Sequence, residues 1–203
     1  MDLKNKLNPK HTALLVIDIQ RDFAASDGLL GRNGRDLSIV EPMIDRLEET
    51  IKRAKAVGVP VFYAQQIYDR SKLNDLQKEQ YDLDGRYITC DINTDGYKFY
   101  RIDPPPEDVF IKYNYNIFSN PDFEKRLIKQ GIKTLIITGM DTYWCVETAI
   151  RNAFDLGYKV VVPKDLVACN GRHIDLHERT LELVEKALGT VTTAEEINQA
   201  WSV

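Results

Sequence analysis

Ala13-Leu14-Leu15-Val16-Ile17 is an unbroken apolar run that stops at Asp18. A strand with one wet face alternates apolar and polar residues, so an unbroken run predicts a strand covered on both faces, as in a parallel sheet. A polar loop follows, carrying Gly28, Gly31 and Gly34. From 40 to 57, Met43, Ile44, Leu47, Ile51 and Ala54 recur at helical spacing, and Gly58 is placed to end that helix. Val59-Pro60-Val61-Phe62-Tyr63-Ala64 then reads as a second strand.

The alternation resumes downstream. Strands are expected at 108–112, 133–139 and 159–163, with a short one at Thr190-Val191. Helices are expected at 121–130, 145–156 and 175–188, closed by Gly131, Gly157 and Gly189. Thr192-Thr193-Ala194-Glu195-Glu196 offers a capping box for a terminal helix. Strands alternating with helices predict an α/β three-layer sandwich on a mostly parallel sheet, with Rossmann-like topology, over residues 1–203 as a single domain. Residues 65–106 stand apart. They are polar, rich in Asp, Tyr and Lys, and break at Asp103-Pro104-Pro105-Pro106. A stretch this long is read as a lid or interface excursion, with one short helix near 74–80.

The 203 residues are 43% hydrophobic and 29% charged, with a formal net charge of −4. That balance fits a soluble globular chain and argues against non-specific nucleic-acid binding. The apolar runs fall far short of a membrane span, and the polar start has no apolar core of a signal peptide. Three widely spaced cysteines make no disulfide framework, so a reduced, cytoplasmic setting is expected. With three histidines and no C-x-x-C pair, neither a metal nor another cofactor is expected.

Three reactive side chains stand at or just beyond predicted strand ends: Asp18, Lys112 and Cys145. In an open parallel sheet those ends share one edge, so they can meet in one crevice. Cys145 starts a predicted helix, whose free N–H groups and a nearby Lys112 would favour a thiolate and stabilise an oxyanion. Asp18 can take the thiol proton and pass it to a leaving amine. Singly, each has a plainer reading: a buried small hydrophobe, a turn residue, a solvated cation. Cys90 and Cys169 lack such company and read as structural.

Leu14-Leu15-Val16-Ile17-Asp18-Ile19-Gln20-Arg21-Asp22-Phe23 resembles the opening motif of the isochorismatase-like cysteine hydrolases. Val109-Phe110-Ile111-Lys112 with Asn116-Ile117-Phe118 resembles their lysine strand. Gly139-Met140-Asp141-Thr142-Tyr143-Trp144-Cys145-Val146-Glu147-Thr148-Ala149 is similar to their nucleophile motif. The resemblance implies a six-stranded parallel sheet, with Asp18 as base, Lys112 as electrostatic helper and Cys145 as nucleophile. It also implies a cis peptide at Met140–Asp141, an oxyanion hole from the Asp141 and Cys145 N–H groups, and a homo-dimer or homo-tetramer.

Three positions depart from the family pattern. Asp141 stands where a small apolar residue is common, Tyr143-Trp144 replaces a less bulky pair, and Asn116 stands where a small hydroxyl is frequent. The metal-binding nicotinamidase branch carries an Asp and histidines after the second strand; here that region reads Gln65-Gln66-Ile67-Tyr68-Asp69, and no histidine lies between His11 and His173. True isochorismatases lack the cysteine. The resemblance therefore implies the branch acting on ureido and carbamoyl compounds, such as ureidoacrylate, biuret and N-carbamoylsarcosine, and Glu147 after Cys145 is similar to the ureidoacrylate group.

The expected reaction cleaves a small linear amide or ureide through a thioester. Phe23, Gln65, Gln66, Asn116, Tyr143 and Trp144 are the expected substrate contacts, with Arg70, Arg86 and Arg101 as candidates for a substrate carboxylate. The alternatives are a catalytically silent binding protein on the same fold, or a hydrolase of a different small substrate.

Overall fold

The computed structural model describes residues 2–83 and 87–202. The strands are β1 (Thr12–Ile17), β2 (Val61–Gln66), β3 (Val109–Lys112), β4 (Thr134–Gly139), β5 (Lys159–Pro163) and β6 (Thr190–Thr192). They form a six-stranded sheet in the order β3-β2-β1-β4-β5-β6, with every pair parallel. The helices are α1 (Leu3–Lys6), α2 (Arg21–Ala24), α3 (Leu29–Arg32), α4 (Val40–Ala56), α5 (Asp75–Leu83), α6 (Pro121–Lys129), α7 (Glu147–Asp155), α8 (Ile174–Leu183) and α9 (Ala194–Ala200).

The apolar run Ala13-Leu14-Leu15-Val16-Ile17 is buried at every position. Its side chains alternate between two cores. Leu14 and Val16 join Met43, Ile44 and Leu47 of α4 and Ile197 of α9; Leu15 and Ile17 join Phe123 and Leu127 of α6 and Ala149 and Ile150 of α7. The sheet is thus the middle of three layers, as expected for a parallel sheet with helices on both faces.

Boundaries moved for local reasons. β2 starts at Val61 rather than Val59, since Pro60 has no N–H for the ladder, though its carbonyl accepts from Leu14. The helix expected at 175–188 ends earlier: α8 gives way to a wider turn at Val184–Leu188. Thr193 and Glu196 form the expected capping box on α9.

Residues 67–83 and 87–106 are more ordered than a bare loop. α5 forms there, one to three residues beyond the helix expected at 74–80, and Tyr81 packs edge-on to Tyr68 at 4.9 Å. The returning segment pairs antiparallel with the chain just after β1, where Arg21 N–H donates to the Lys98 carbonyl and Tyr100 N–H to that of Ile19.

β1 is flanked by β2 on one side and β4 on the other, so the chain winds outward in both directions from this pair. Such a switch point opens a crevice at the carboxyl ends of the strands. Gly139 closes β4 there with φ +108°, and a Cβ on it would lie 2.0 Å from the Ile17 carbonyl oxygen. Only glycine permits that approach.

Candidate active site

Asp18 follows β1 directly, in the left-handed region at φ 54°. Lys112 ends β3, two strands away. At about 4.8 Å per strand the gap is roughly 10 Å, which only a long side chain bridges. Its ammonium crosses the end of β2 and meets Asp18 Oδ2 at 2.7 Å, with both side chains essentially excluded from solvent. On the way it donates to Gln66 Oε1 at 2.8 Å and to the Asn114 carbonyl at 3.2 Å. Gln66 is the register partner of Lys112 across β2 and β3, which places its amide beneath the ammonium.

Lys112 Nζ also lies 3.3 Å from Cys145 Sγ. The helix expected to begin at Cys145 begins two residues later: Thr142–Val146 forms a wider π turn, and α7 starts at Glu147. Met140–Asp141 is a cis peptide. The Asp141 carbonyl accepts from Trp144 and Val146 N–H, while the Asp141 N–H has no hydrogen-bond partner among the described residues. Thr142 is tied from below. Its N–H and Oγ1 both donate to the Ala168 carbonyl, and its Oγ1 lies 2.9 Å from His177 Nδ1.

The electrostatics correct one expectation. Burial pushes the Cys145 thiol well above its ordinary value; Lys112 pulls it down, and the Asp18 charge adds to the rise. Desolvation thus works against the ammonium, and burial disfavours the stabilised thiolate that a helix start suggested. For Lys112 the balance runs the other way. Burial favours the neutral amine, but Asp18 and Cys145 together push it up to about 12. Asp141 is held up at about 7, chiefly by burial, against hydrogen bonds from Asn170 that lower it.

The remaining expected contacts divide. Tyr143 is half-buried, edge-on to His173 at 6.1 Å. Trp144 is 46% exposed and stacks on Tyr115 at 5.1 Å. Phe23 is partly buried against the α4-side core. Three amides expected to face substrate have hydrogen bonds within the protein. Gln66 holds Lys112, Gln65 donates to the Tyr97 carbonyl at 3.0 Å, and Asn116 caps its own turn at Phe118 N–H and donates to Asn152. Arg70 pairs with Asp82, and Arg101 with Glu41, Asp45 and Glu48, both at the surface; Arg86 lies outside the described residues. Glu147 joins α7 to α8 through Thr180. The surface grooves bounded by Glu178, Glu182 and Val191 and by Pro9, Lys55 and Gln130 include none of these residues.

Sequence reasoning passed over Gln20 and Asp22. Gln20 donates to the carbonyls of Gln66 and Tyr97 and accepts from Gln66 N–H, all at 2.6–2.8 Å. Asp22 accepts from Cys90 N–H at 2.7 Å and Leu29 N–H at 3.0 Å. A Cβ on Gly96 would fall 2.0 Å from the Asp22 carboxylate, so glycine is required there. Both residues stand within four positions of Asp18 in a polar turn, and buried polar residues so close to a strand end were the available signal. Cys90 and Cys169 are free and fully buried.

Comparison with known proteins places this geometry in context. Residues 12–196 match the family model of the isochorismatase domain. The ureidoacrylate amidohydrolase RutB of Pseudomonas syringae pv. syringae is 28% identical over 97% of this chain and 86% of its own length. That of Pseudomonas savastanoi pv. phaseolicola is 30% identical over 79% of this chain and 71% of its own. Among solved structures, a cysteine hydrolase from Pseudomonas syringae pv. phaseolicola superposes with a TM-score of 0.82 at 23% identity, covering 97% of this chain and 94% of that one. A nicotinamidase/pyrazinamidase from Bacillus subtilis gives 0.73 at 23%, covering 90% and 99%. Among the described residues no helix is long and apolar enough to cross a membrane, and no His, Cys, Asp and Glu side chains cluster as a metal site.

Proposed function

We propose a function for this chain from the premise that it belongs to the isochorismatase family. It is a cysteine-dependent amidohydrolase that cleaves the C–N bond of a small linear amide or ureide and releases ammonia or a small amine. The observation that carries this reading is the position of Lys112 Nζ, 2.7 Å from Asp18 Oδ2 and 3.3 Å from Cys145 Sγ, at the strand ends beside the switch point. The ureidoacrylate amidohydrolases among its relatives support the substrate class.

Because burial favours the thiol, proton transfer accompanies attack. Sγ bonds to the substrate carbonyl carbon as its proton passes to Asp18. Negative charge passes from Asp18 through sulfur to the carbonyl oxygen, and Lys112, in contact with Asp18 and Cys145, steadies it as the proton crosses. The carbonyl oxygen gains charge and is held by the N–H groups of Asp141 and Cys145. Asp18 hands its proton to the leaving nitrogen, the C–N bond breaks, and a Cys145 thioester remains. Asp18 then takes a proton from water, the C–O bond forms, the C–S bond breaks and sulfur recovers the proton.

Protein quenched during turnover of a panel of amides and ureides should show an acyl adduct on the Cys145 peptide by mass spectrometry, with ammonia or amine released. Turnover of vinyl ethers or aromatic esters with no reaction across that panel would overturn the substrate class. An adduct on Cys90 or Cys169 would overturn the nucleophile.

A further inference from the structure

The junction beside the nucleophile turn holds two buried polar atoms that the reaction above does not use. On Asp141, Oδ2 accepts from Asn170 Nδ2 at 2.8 Å, while Oδ1 is buried with no hydrogen-bond partner. On Arg35, Nε is likewise buried and unpartnered, and the guanidinium makes no ion pair among the described residues. Native proteins satisfy nearly all such atoms, so two orphans of opposite kind in one place call for a group that completes them.

Both residues belong to the same junction. The 170–171 loop lies directly on the 35–36 loop, since a Cβ on Gly171 would come within 2.7 Å of Asp36 Cβ. The next residue of the nucleophile turn, Thr142, is bonded to Ala168 on that same loop. Asp141 lies within electrostatic reach of both Asp18 and Arg35. The Asn170 bond occupies one carboxylate oxygen and leaves the other free, on the same residue whose amide is assigned to the oxyanion.

We propose that Arg35 and Asp141 form a specificity clamp for the unreacting end of the substrate, Arg35 taking a carboxylate and Asp141 Oδ1 taking a neighbouring N–H. The substrate class narrows accordingly to acidic ureides or amides with an N–H between the scissile carbonyl and the carboxylate. This rests on the amidohydrolase reading. A guanidinium matches a carboxylate with two parallel bonds. A fixed carboxylate beside it repels a bare acid and accepts one that brings a donor. Sites built this way reject analogues lacking the donor, because the protein group is left unpaired.

Three probes separate the contacts: 3-ureidopropionate, its analogue methylated on the internal nitrogen, and n-propylurea. Arg35→Gln should reduce the kcat/KM preference for 3-ureidopropionate over n-propylurea about 10-fold, through KM, with Arg35→Lys restoring part of it. Asp141→Asn should reduce the preference for the N–H compound over its methylated analogue by about 10-fold. In a Cys145→Ala background, calorimetry should show the same losses in 3-ureidopropionate binding. Equal effects on all three probes would overturn the clamp and leave the amidohydrolase reading standing. Binding that depends on Arg35 and Asp141 without turnover of any probe by the wild type would support the clamp and sink that reading. Absence of both turnover and binding would overturn the two together.

Discussion

Lys112 and Arg101 both gather carboxylates, yet in opposite surroundings. Lys112 meets Asp18 at 2.7 Å where neither side chain is more than 1% exposed. Arg101 meets Glu41, Asp45 and Glu48 at 2.6, 2.7 and 3.1 Å with its side chain 30% exposed. Attraction between exposed charges is weak and screened by salt, so such pairs contribute about 0–1 kcal/mol. A buried pair gains more from attraction but has lost its water, so the net is small while the loss of one partner is severe. The surface cluster therefore secures a loop cheaply. The buried pair offers little as a stabiliser, which fits the reaction proposed for it.

That contrast can be broken experimentally. The largest effect falls on chemistry: Asp18→Asn should lower turnover about 10²–10⁴-fold, since an amide cannot shuttle the proton. Initial rates of ammonia release measure it, and a loss under tenfold would remove Asp18 from its role. Lys112→Met leaves the Asp18 carboxylate buried alone and should cost about 3–5 kcal/mol in denaturant unfolding, most of it recovered in the Asp18→Asn/Lys112→Met double variant. It should also raise the Cys145 pKa further, read from thiolate absorbance against Cys145→Ala.

Asp141 supplies an intermediate case. Burial holds its carboxyl at about 7 in the fold, whereas an unfolded chain releases that proton near pH 4. The folded state keeps a proton the unfolded state gives up, so wild-type stability should fall relative to Asp141→Asn as pH rises from about 4 to 7, with no further change outside that window. Thermal unfolding of both proteins across pH tests the sign. Smallest of all, Arg101→Ala should shift stability by about 1 kcal/mol or less, and the difference should fade in high salt. A larger, salt-insensitive loss would mean the two clusters are less unlike than their exposure indicates.

The sheet was legible because its signal is local and repeated. An apolar run such as 13–17 has few options besides a strand covered on both faces, and helical spacing at Met43, Leu47 and Ile51 leaves little choice for α4. The meeting of Asp18, Lys112 and Cys145 was legible because parallel strands align their ends. What escaped depends on three dimensions. Nothing in the pattern says that Lys112 must pass over Gln66 to reach β1, so that glutamine read as a substrate contact. Nor does a sequence weigh desolvation against a nearby charge, and the thiol came out on the wrong side. The placement of Cys90 and Tyr97 hinges on bonds to Asp22 and Gln20, more than 60 positions upstream.

The left-handed backbone at Asp18 bears on which proteins this one can become. Few side chains tolerate that conformation; glycine does, and asparagine and aspartate do so better than the rest. Of these three, aspartate alone offers a base. Conformation and chemistry thus select the same letter by independent routes, so a lineage drifting away from catalysis would find Asn or Gly the cheapest exits at position 18. A homologue with Asn there and an otherwise intact sheet edge would mark a scaffold kept for binding after its chemistry was given up.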